Sequence, residues 1–301
     1  MTTNPPRREQ PSTYMVHDRS NEEELTRLQI QDRMVTTGMG GVLPEQPNPG
    51  AFKRVLDIGC GTGGWLIETA KNYPSTSRLI GVDISKRMID YAREQAEEQQ
   101  VSDRVEFHVM DALLMLEFPT AYFDLVNQRF GLSYLRTWDW PKFLQECQRV
   151  CRRDGIIRVT ESDTFLEPGS PAQTRLFEMT LDAFYRAGHF FLREKNGVTS
   201  QLAHLLHQHG IQDVQTRAYA LAYQAGTPEG QRFYEDIKLA YRTIIPFFRK
   251  WTTMPDDYKE IYQQMLSEMQ QPGFEATWRL LTAWGQAPGY ENNRRSYDTP
   301  R

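Results

Sequence analysis

Residues 55–65 read VLDIGCGTGGW, and this stretch decides the fold. An apolar run that contains one acidic residue, Asp57, leads into glycines at alternate positions, and an amphipathic segment begins at Trp65. Glycine lets the backbone turn sharply and lets a ligand approach it closely, because no Cβ stands in the way. The stretch therefore predicts a β-strand, a tight turn and the start of a helix, with a ligand at the turn.

Two classes of cofactor bind at such a turn, and the acidic residue separates them. Gly59, Gly61 and Gly64 satisfy G-x-G-x-x-G, and Asp83 follows Gly64 by nineteen residues, close to the roughly 20 of a dinucleotide site. In that site a pyrophosphate lies at the helix N-terminus, and Asp57 would repel it. A cationic cofactor reverses the sign of this interaction. Asp57 therefore favours S-adenosylmethionine (SAM), which has a sulfonium, an ammonium and no phosphate, over a dinucleotide for hydride transfer.

Further apolar segments predict a parallel sheet that continues from the glycine turn. Strands are expected over residues 79–83, 105–109, 123–126 and 155–160, and residues 85–99 have the apolar stripe of a helix. Strands that alternate with helices form a parallel sheet, and ligands bind beyond the carboxyl ends of its strands. The predicted fold class is therefore α/β.

Acidic residues stand at the ends of two of these strands. Asp83 can accept hydrogen bonds from both hydroxyls of a ribose, and the neighbouring Ile84 can lie against an adenine face. Asp111 follows the third strand, where it can accept a hydrogen bond from an adenine amino group. Together with Asp57, these residues predict a site for a positively charged adenosine cofactor.

Four motifs follow one another along this part of the chain. They are VLDIGCGTG at 55–63, GVDIS at 81–85, MDA at 110–112 and FDLVNQRFGLSYL at 123–135. In order and spacing they resemble the class I SAM-dependent methyltransferases of the small-molecule, natural-product type. The resemblance implies a Rossmann-like, seven-stranded, mostly parallel sheet with helices on both faces and helical lid insertions. It also implies that the seventh strand is antiparallel and lies beside the sixth.

The same resemblance implies where the cofactor lies. Three glycines would line its methionine moiety, Asp83 its ribose, and Asp111 with Ala112 its adenine. Upstream, Tyr14 belongs to a segment similar to one that closes over SAM in some members. The expected cofactor contacts are Tyr14, Asp57, Gly59, Gly61, Gly63, Asp83, Ile84, Met88, Asp111, Ala112 and Asn127.

Changes in composition along the chain predict one elaborated domain. Its expected segments are a flexible N-terminal tail or lid (1–20), an N-terminal helical segment (21–50), the SAM-binding Rossmann-like core (51–164), a helical lid insert (165–195), a core helix with strand six (196–227), a second helical lid insert (228–271), and the closing strand with a C-terminal tail (272–301). We expect one helix over 172–193, a sixth strand that begins with residues 211–216, and two helices within the second insert.

Aromatic residues concentrate in the two predicted inserts. Methyl transfer by in-line displacement depends on alignment, which can supply roughly 7–11 kcal/mol of the barrier, and on a cavity that excludes water. Single aromatics at helical spacing also serve to pack an insert on a sheet. As a set they predict an apolar or aromatic acceptor, because small-molecule sites are mostly hydrophobic. The expected acceptor contacts are Tyr134, Phe177, Tyr185, Phe233 and Tyr241.

Candidates for a proton-accepting or otherwise catalytic group follow from position. Glu161 and Arg129 stand at predicted strand ends, His17 in the N-terminal segment and His189 in the first insert. The structural alternatives are a capping carboxylate for Glu161 and a surface ion pair for Arg129. No metal site is expected, because the histidines at 204, 207 and 209 have no nearby carboxylate or cysteine to complete a ligand set.

Composition limits the partners and the compartment. A formal net charge of −4 gives no basic surface for nucleic acid. The sequence has no apolar run of the ~18 residues that a membrane span requires, and residues 1–12 lack the apolar core of a secretory signal. Three cysteines do not make a disulfide framework, so a cytoplasmic location is expected. The expected partner is a small-molecule acceptor, with a homodimer as the candidate assembly.

Two other functions remain open at the level of sequence. A nucleic-acid or protein methyltransferase could use the same core. For an amino-methylating nucleic-acid enzyme, the resemblance implies Asn/Asp-Pro-Pro-aromatic after strand four, whereas residues 127–130 read NQRF. A non-catalytic, regulatory SAM-binding protein is the second alternative.

Overall fold

The computed structural model describes residues 13–16, 21–167 and 170–288, and a seven-stranded sheet forms the centre of this part. The strands are β1 (Arg54–Ile58), β2 (Arg78–Asp83), β3 (Val105–Val109), β4 (Phe123–Arg129), β5 (Cys151–Glu167), β6 (Gln212–Gln224) and β7 (Glu275–Gln286). Their order is β3-β2-β1-β4-β5-β7-β6. β1 to β5 pair in parallel, and β7 pairs antiparallel with both β5 and β6. The predicted sheet, with its antiparallel seventh strand beside the sixth, is confirmed.

Helices cover both faces of the sheet and one of its ends. They are α1 (Glu22–Gly38), α2 (Gly64–Asn72), α3 (Lys86–Glu98), α4 (Trp140–Val150), α5 (Pro171–Arg186), α6 (Thr199–Gln208), α7 (Pro228–Thr243), α8 (Ile245–Trp251) and α9 (Tyr258–Glu268). Several begin at a side chain that caps free backbone N–H groups. Asn21 accepts from the second residue of α1, Thr227 caps α7, and Ser170 forms a capping box with Gln173.

Alternate residues of the strands enter two separate apolar clusters. Val55 of β1 packs with α2 and α3 on one face, and Leu56 packs with the cluster that contains α4 and the aromatic residues of α5 and α7. This alternation follows from the two-residue period of a strand. At the carboxyl ends of the strands, α1 packs along α7, and α5 packs on α8 and α9. These helices form the lid over the site.

Two predicted elements, the first helix of the lid and the helices of the second insert, differ from the structure. α5 ends at Arg186 rather than at residue 193, because Gly188 adopts a φ of +84° and its N–H bonds the carbonyl of Tyr185. This is the usual way in which a glycine ends a helix. Strand six, expected to begin with residues 211–216, runs from Gln212 to Gln224. The second insert contains three helices rather than two, since Pro246 lies in the first turn of α8, where its missing N–H costs nothing.

Candidate active site

A cavity of about 310 Å³ lies between the carboxyl ends of β1–β4 and the lid. We call the part lined by Asp57, Gly59, Gly61, Asp83 and Asp111 the cofactor end. The part lined by residues of α1, α5 and α7 is the lid end, and it includes Glu24, Arg27, Phe177, Phe184, Phe233, Asp236 and Tyr241. One continuous space therefore joins the strand ends to the lid.

The glycine turn has the geometry that its sequence predicts. Gly59, Gly61 and Gly63 have φ values of +72°, +52° and +76°, in the left-handed region that favours glycine. The N–H groups of Gly59 and Cys60 both donate to the carbonyl of Val82, which fixes the turn against β2. A Cβ placed at Gly61 would have no atom within 4 Å, so the backbone there borders open space in the cavity.

Gly63 does not line the cavity, contrary to its expected contact with the cofactor. A Cβ at this position would lie 2.6 Å from the ring of Phe107 and 2.8 Å from the Cβ of Ala92. Glycine is therefore required here so that the start of α2 can approach α3 and β3 closely. Its role is packing.

Two carboxylates are held by backbone N–H groups at neighbouring strand ends. Asp83 accepts hydrogen bonds from the N–H groups of Gly61 (3.1 Å) and Ser85 (2.8 Å), and Asp111 accepts one from Leu113 (2.8 Å). Both carboxylates line the cavity. The apolar side chains of Ile84, Met88 and Ala112 line it beside them. This combination fits an adenosine, with acceptors for its hydroxyl and amino groups and an apolar wall for its base.

Asp57 is a buried carboxyl group whose ionisation is disfavoured in the ligand-free protein. It is 3% exposed, and it accepts a hydrogen bond from the side-chain amide of Asn127 at 2.7 Å. Burial raises the pKa of Asp57 to about 7, and the nearby Arg129 charge and the Asn127 hydrogen bond only partly oppose that rise. A cation bound nearby would favour the ionised form. The site therefore suits a positively charged ligand.

Asn127 is fully buried and does not line the cavity, so its expected contact with the cofactor is not seen. Its carbonyl oxygen accepts a hydrogen bond from Arg158 at 2.8 Å, and Arg158 is paired with Glu45 at 2.6 Å. These contacts turn the Asn127 amide group toward Asp57. Asn127 thus positions Asp57 from the side of the residue that faces away from the cavity.

The hydroxyl of Tyr134 gives an independent test of whether a ligand fits. Tyr134 lines the cavity, and its buried hydroxyl has no hydrogen-bond partner among the described residues. A Cβ built on Gly59 would lie 2.9 Å from this hydroxyl. Buried polar groups are nearly always hydrogen-bonded, so an unpartnered one beside the glycine turn indicates a partner on a ligand. With the open space at Gly61 and the three carboxylates, the residues present fit SAM.

The four catalytic candidates differ in whether they line the cavity. Arg129 lines the cavity and is paired with Asp32 of α1. A guanidinium stays protonated, so Arg129 holds α1 over the cofactor end and does not accept a proton. Glu161 is fully buried and does not line the cavity. His17 lies outside the described residues, and its role stays a prediction.

Glu161 instead supports the loop after β4. It accepts hydrogen bonds from the N–H groups of Gly131 (2.7 Å) and Leu132 (3.1 Å), at the start of the 3₁₀ turn Gly131–Ser133 that precedes Tyr134. Burial raises the pKa of Glu161 to about 8, and the two N–H donors oppose that rise. In the structure, Glu161 therefore occupies the position of a capping carboxylate.

His189 is also enclosed away from the cavity. Its ring packs against Phe184 and Phe247, with centroids 5.5 and 6.0 Å apart, and its Nδ1 lies 3.0 Å from the carbonyl oxygen of Leu135. Burial lowers the pKa of His189 to about 4. It is thus a neutral residue of the lid core and not a catalytic base.

Four of the five expected acceptor contacts line the cavity: Tyr134, Phe177, Phe233 and Tyr241. Tyr185 does not, and it is 43% exposed. The buried side of α5 carries Phe177 and Phe184, which are seven residues apart and share a helix face. This helical spacing would have selected Phe184 instead of Tyr185. Trp278 of β7, stacked on Phe130 at 5.8 Å, lines the cavity too and carried no signal in the sequence.

A buried ionic network joins α1 to α7 at the lid end. Glu24 accepts hydrogen bonds from Arg27 (2.7 and 2.9 Å), Tyr14 (2.5 Å) and Thr243 (3.0 Å). Burial opposes the ionisation of Glu24, yet Arg27 and these donors hold its pKa below the usual value. Arg27 also donates to Asp236 at 3.3 Å. Burial raises the pKa of Asp236 to about 6 even though Arg27 opposes it.

The described part of the chain has neither a candidate metal site nor a candidate membrane-spanning helix. It contains no group of three or more His, Cys, Asp or Glu side chains that could hold a metal ion. None of its helices has the length and apolar character needed to cross a membrane.

Comparisons with known proteins agree with this geometry. A model of the methyltransferase domain matches residues 55–155. The demethylmenaquinone methyltransferase of Lactiplantibacillus plantarum is 31% identical over 190 residues, which are 59% of this chain and 79% of that protein. The geranyl diphosphate 2-C-methyltransferase of Saccharopolyspora erythraea is 27% identical over 177 residues, which are 58% of this chain and 58% of that protein.

A solved structure extends the likeness to nearly the whole fold. The geranyl diphosphate C-methyltransferase from Streptomyces coelicolor A3(2), in complex with Mg²⁺, geranyl diphosphate and S-adenosylhomocysteine (SAH), has a TM-score of 0.50 at 13% identity. The match covers 92% of this chain and 91% of that one, and at this identity it supports the fold alone. With the domain match and the L. plantarum relative, the chain belongs to the class I SAM-dependent methyltransferases of the small-molecule type.

Proposed function

We propose that the protein transfers a methyl group to a small acceptor with an apolar or aromatic body that is bound at the lid end. The observation that carries this proposal is the single cavity that joins the cofactor end to the aromatic side chains of the lid. An acceptor among Phe177, Phe184 and Phe233 would share that space with a cofactor at the glycine turn. Small-molecule sites are typically apolar in this way, with few polar groups.

The residues of the chain bind and align, and the cofactor supplies the reactive group. When bound, SAM supplies an electrophilic methyl group on a sulfonium. Asp83 and Asp111 would hold its adenosine, and ionised Asp57 would offset its positive charge. The lid would exclude water and hold the acceptor in line, and alignment of this kind can supply roughly 7–11 kcal/mol of a barrier. Tyr134 would supply a hydrogen-bonding hydroxyl between the two ends.

The test combines calorimetry with a search for SAH as a product. We expect the protein to bind SAM and SAH and not to bind NAD. With SAM and a suitable apolar or aromatic acceptor, it should release SAH. Binding of NAD without binding of SAM would overturn the proposal. Methylation of RNA, DNA or a protein in parallel reactions would replace the small acceptor by a macromolecule. SAM binding without turnover on any acceptor class would favour a regulatory SAM-binding protein.

The compartment and assembly are part of the same proposal. All three cysteines have free thiols, which supports a reducing cytoplasm. The net charge of −4 argues against nucleic acid as a partner, because binding to phosphates depends on basic residues. A homodimer is the proposed assembly, and light scattering of the purified protein tests it.

A further inference from the structure

The cavity carries a strong excess of negative charge. Seven acidic residues and two arginines line it: Glu24, Asp32, Asp57, Asp83, Asp111, Asp163 and Asp236 against Arg27 and Arg129. Both guanidinium groups already have carboxylate partners, Arg27 in Glu24 and Arg129 in Asp32. In the described part of the chain, no unpaired cationic side chain lines the cavity. An acceptor at the lid end that carried an anionic group, without the cationic groups that SAM also has, would therefore be repelled.

At the lid end of this cavity, Asp236 is a buried carboxylate with fewer hydrogen-bond donors than its neighbour Glu24. It is 3% exposed, and its Oδ1 accepts one hydrogen bond, from Arg27 at 3.3 Å. Among the described residues, Oδ2 accepts none. Glu24 by contrast accepts four hydrogen bonds, two of them from the same Arg27 at 2.7 and 2.9 Å. The charge of Arg27 is therefore neutralised mainly by Glu24, and Asp236 is left with acceptor capacity.

The connection between α1 and α7 does not rest on Asp236 alone. The network already joins α1 to α7 without it, because Thr243 of α7 donates to Glu24 of α1 at 3.0 Å. A buried carboxylate whose acceptor capacity is only partly used is costly to the folded protein. A hydrogen-bond donor on a bound molecule would remove part of that cost. Asp236 lines the cavity next to Phe233 and Ile237 of the same helix, so such a donor would sit beside apolar walls.

We propose that Asp236 determines acceptor specificity: it accepts a hydrogen bond from a hydroxyl or amino group on the acceptor, and the acidic cavity excludes acceptors that carry a carboxylate or phosphate. The acceptor is thus a neutral or cationic molecule with an apolar body and one donor group that reaches α7. This inference rests on the proposed function, because it assumes that the acceptor binds at the lid end.

The test uses matched probes on the full-length protein saturated with SAH. Naphthalene, indole and decyl bodies are each offered with an aminomethyl, a hydroxymethyl or a carboxyl group, and their dissociation constants are measured by calorimetry at neutral pH. For at least one body, we expect the amine to bind about tenfold or more tightly than the carboxylate, with the alcohol between them.

Variants then ask whether Asp236 causes that preference. Asp236→Asn keeps the shape and removes the charge, and we expect it to weaken amine binding about tenfold and so to reduce the preference over the carboxylate by the same factor, while the other acidic residues still disfavour the carboxylate. Glu235→Gln is the matched control, since Glu235 is on the same helix, pairs with Lys238 at 3.0 Å and does not line the cavity. It should leave the preference unchanged. If Asp236→Asn does not fold, Asp236→Ser replaces it with the same expected result, and the comparison of head groups on the wild-type protein tests the exclusion of carboxylates.

Three results would overturn the inference while SAH still binds. They are a carboxylate that binds as tightly as its amine, an amine affinity and a preference that are both unchanged in Asp236→Asn, and no detectable binding of any probe. Failure of SAH itself to bind would instead overturn the proposed function, so the two failures are distinguishable.

Discussion

The cofactor end and the lid end of one cavity are built in opposite ways. At the cofactor end, Asp57, Asp83 and Asp111 each stand at or just beyond a strand end, within one stretch of the chain. At the lid end, Arg27 and Asp236 are 209 residues apart and meet only because α1 packs along α7. Local backbone geometry positions the three aspartates of the cofactor end, whereas tertiary packing brings together Arg27 and Asp236 at the lid end. We expect substitutions at the two ends to separate cofactor binding from stability and acceptor choice.

The largest expected effect is at the cofactor end. Asp83→Ala removes the acceptor proposed for both ribose hydroxyls, so the dissociation constant of SAH should rise about 10²- to 10⁴-fold, as expected for two hydrogen bonds to a charged group. Asp90→Ala, on the exposed side of α3, is the control and should leave it unchanged. Titration calorimetry gives both values, and an unchanged affinity in Asp83→Ala would remove this residue from the site.

A substitution in the lid should lower the stability of the protein and leave SAH affinity nearly unchanged. Phe177 is buried against Tyr241, with ring centroids 6.2 Å apart, and Phe177→Ala should lower the free energy of unfolding by about 3–5 kcal/mol. At a temperature where the variant is folded, SAH affinity should stay within about twofold of wild type, because distant sites act independently. Denaturant unfolding and calorimetry measure the two quantities. A large loss of SAH affinity would show that the two ends are coupled.

A smaller effect is expected for the pH dependence of SAH binding, which tests the role of Asp57. The pKa of Asp57 is about 7 in the ligand-free protein, and the ammonium group of SAH should favour the ionised form. Affinity should therefore rise about tenfold between pH 6 and pH 8 and level off above that. Asp236, with a pKa of about 6, also lines the cavity, so Asp57→Asn is the necessary control. The rise should disappear in that variant, and a rise that persists would assign the proton to another group.

The smallest expected effect is at Tyr185. Its side chain is 43% exposed and does not line the cavity. Tyr185→Ala should change the free energy of unfolding by no more than about 0.5 kcal/mol and leave SAH and acceptor binding as in wild type. Kinetics with the acceptor and a thermal melt measure this. A raised KM for the acceptor would place Tyr185 in the site after all.

The same division explains which expectations from the sequence hold. The conformation of the glycine turn follows from local pattern, because left-handed backbone favours glycine, whereas the place of the antiparallel seventh strand was expected from the family resemblance. Sequence pattern does not show which of several similar residues contacts a ligand and which serves in packing. Gly59 and Gly63 look alike in sequence, yet only the first lines the cavity, while the second packs on Phe107.

Residues with charge at strand ends show the same limit. Glu161 ends up capping the turn before Tyr134, since the backbone N–H groups of Gly131 and Leu132 lie within hydrogen-bond distance. No periodicity distinguishes a capping carboxylate from a catalytic one. At the lid, helical spacing on α5 does identify Phe184, but the partnership of Arg27 with Asp236 depends on how two remote helices pack.

A structure of the protein in complex with SAH would show whether the cofactor end and the lid end serve one reaction. We expect Asp83 to accept hydrogen bonds from the ribose hydroxyls, Asp111 to face the adenine, and the sulfur to point past Tyr134 toward the aromatic residues of the lid. SAH bound outside the cavity, or with its sulfur directed away from the lid end, would contradict this expectation.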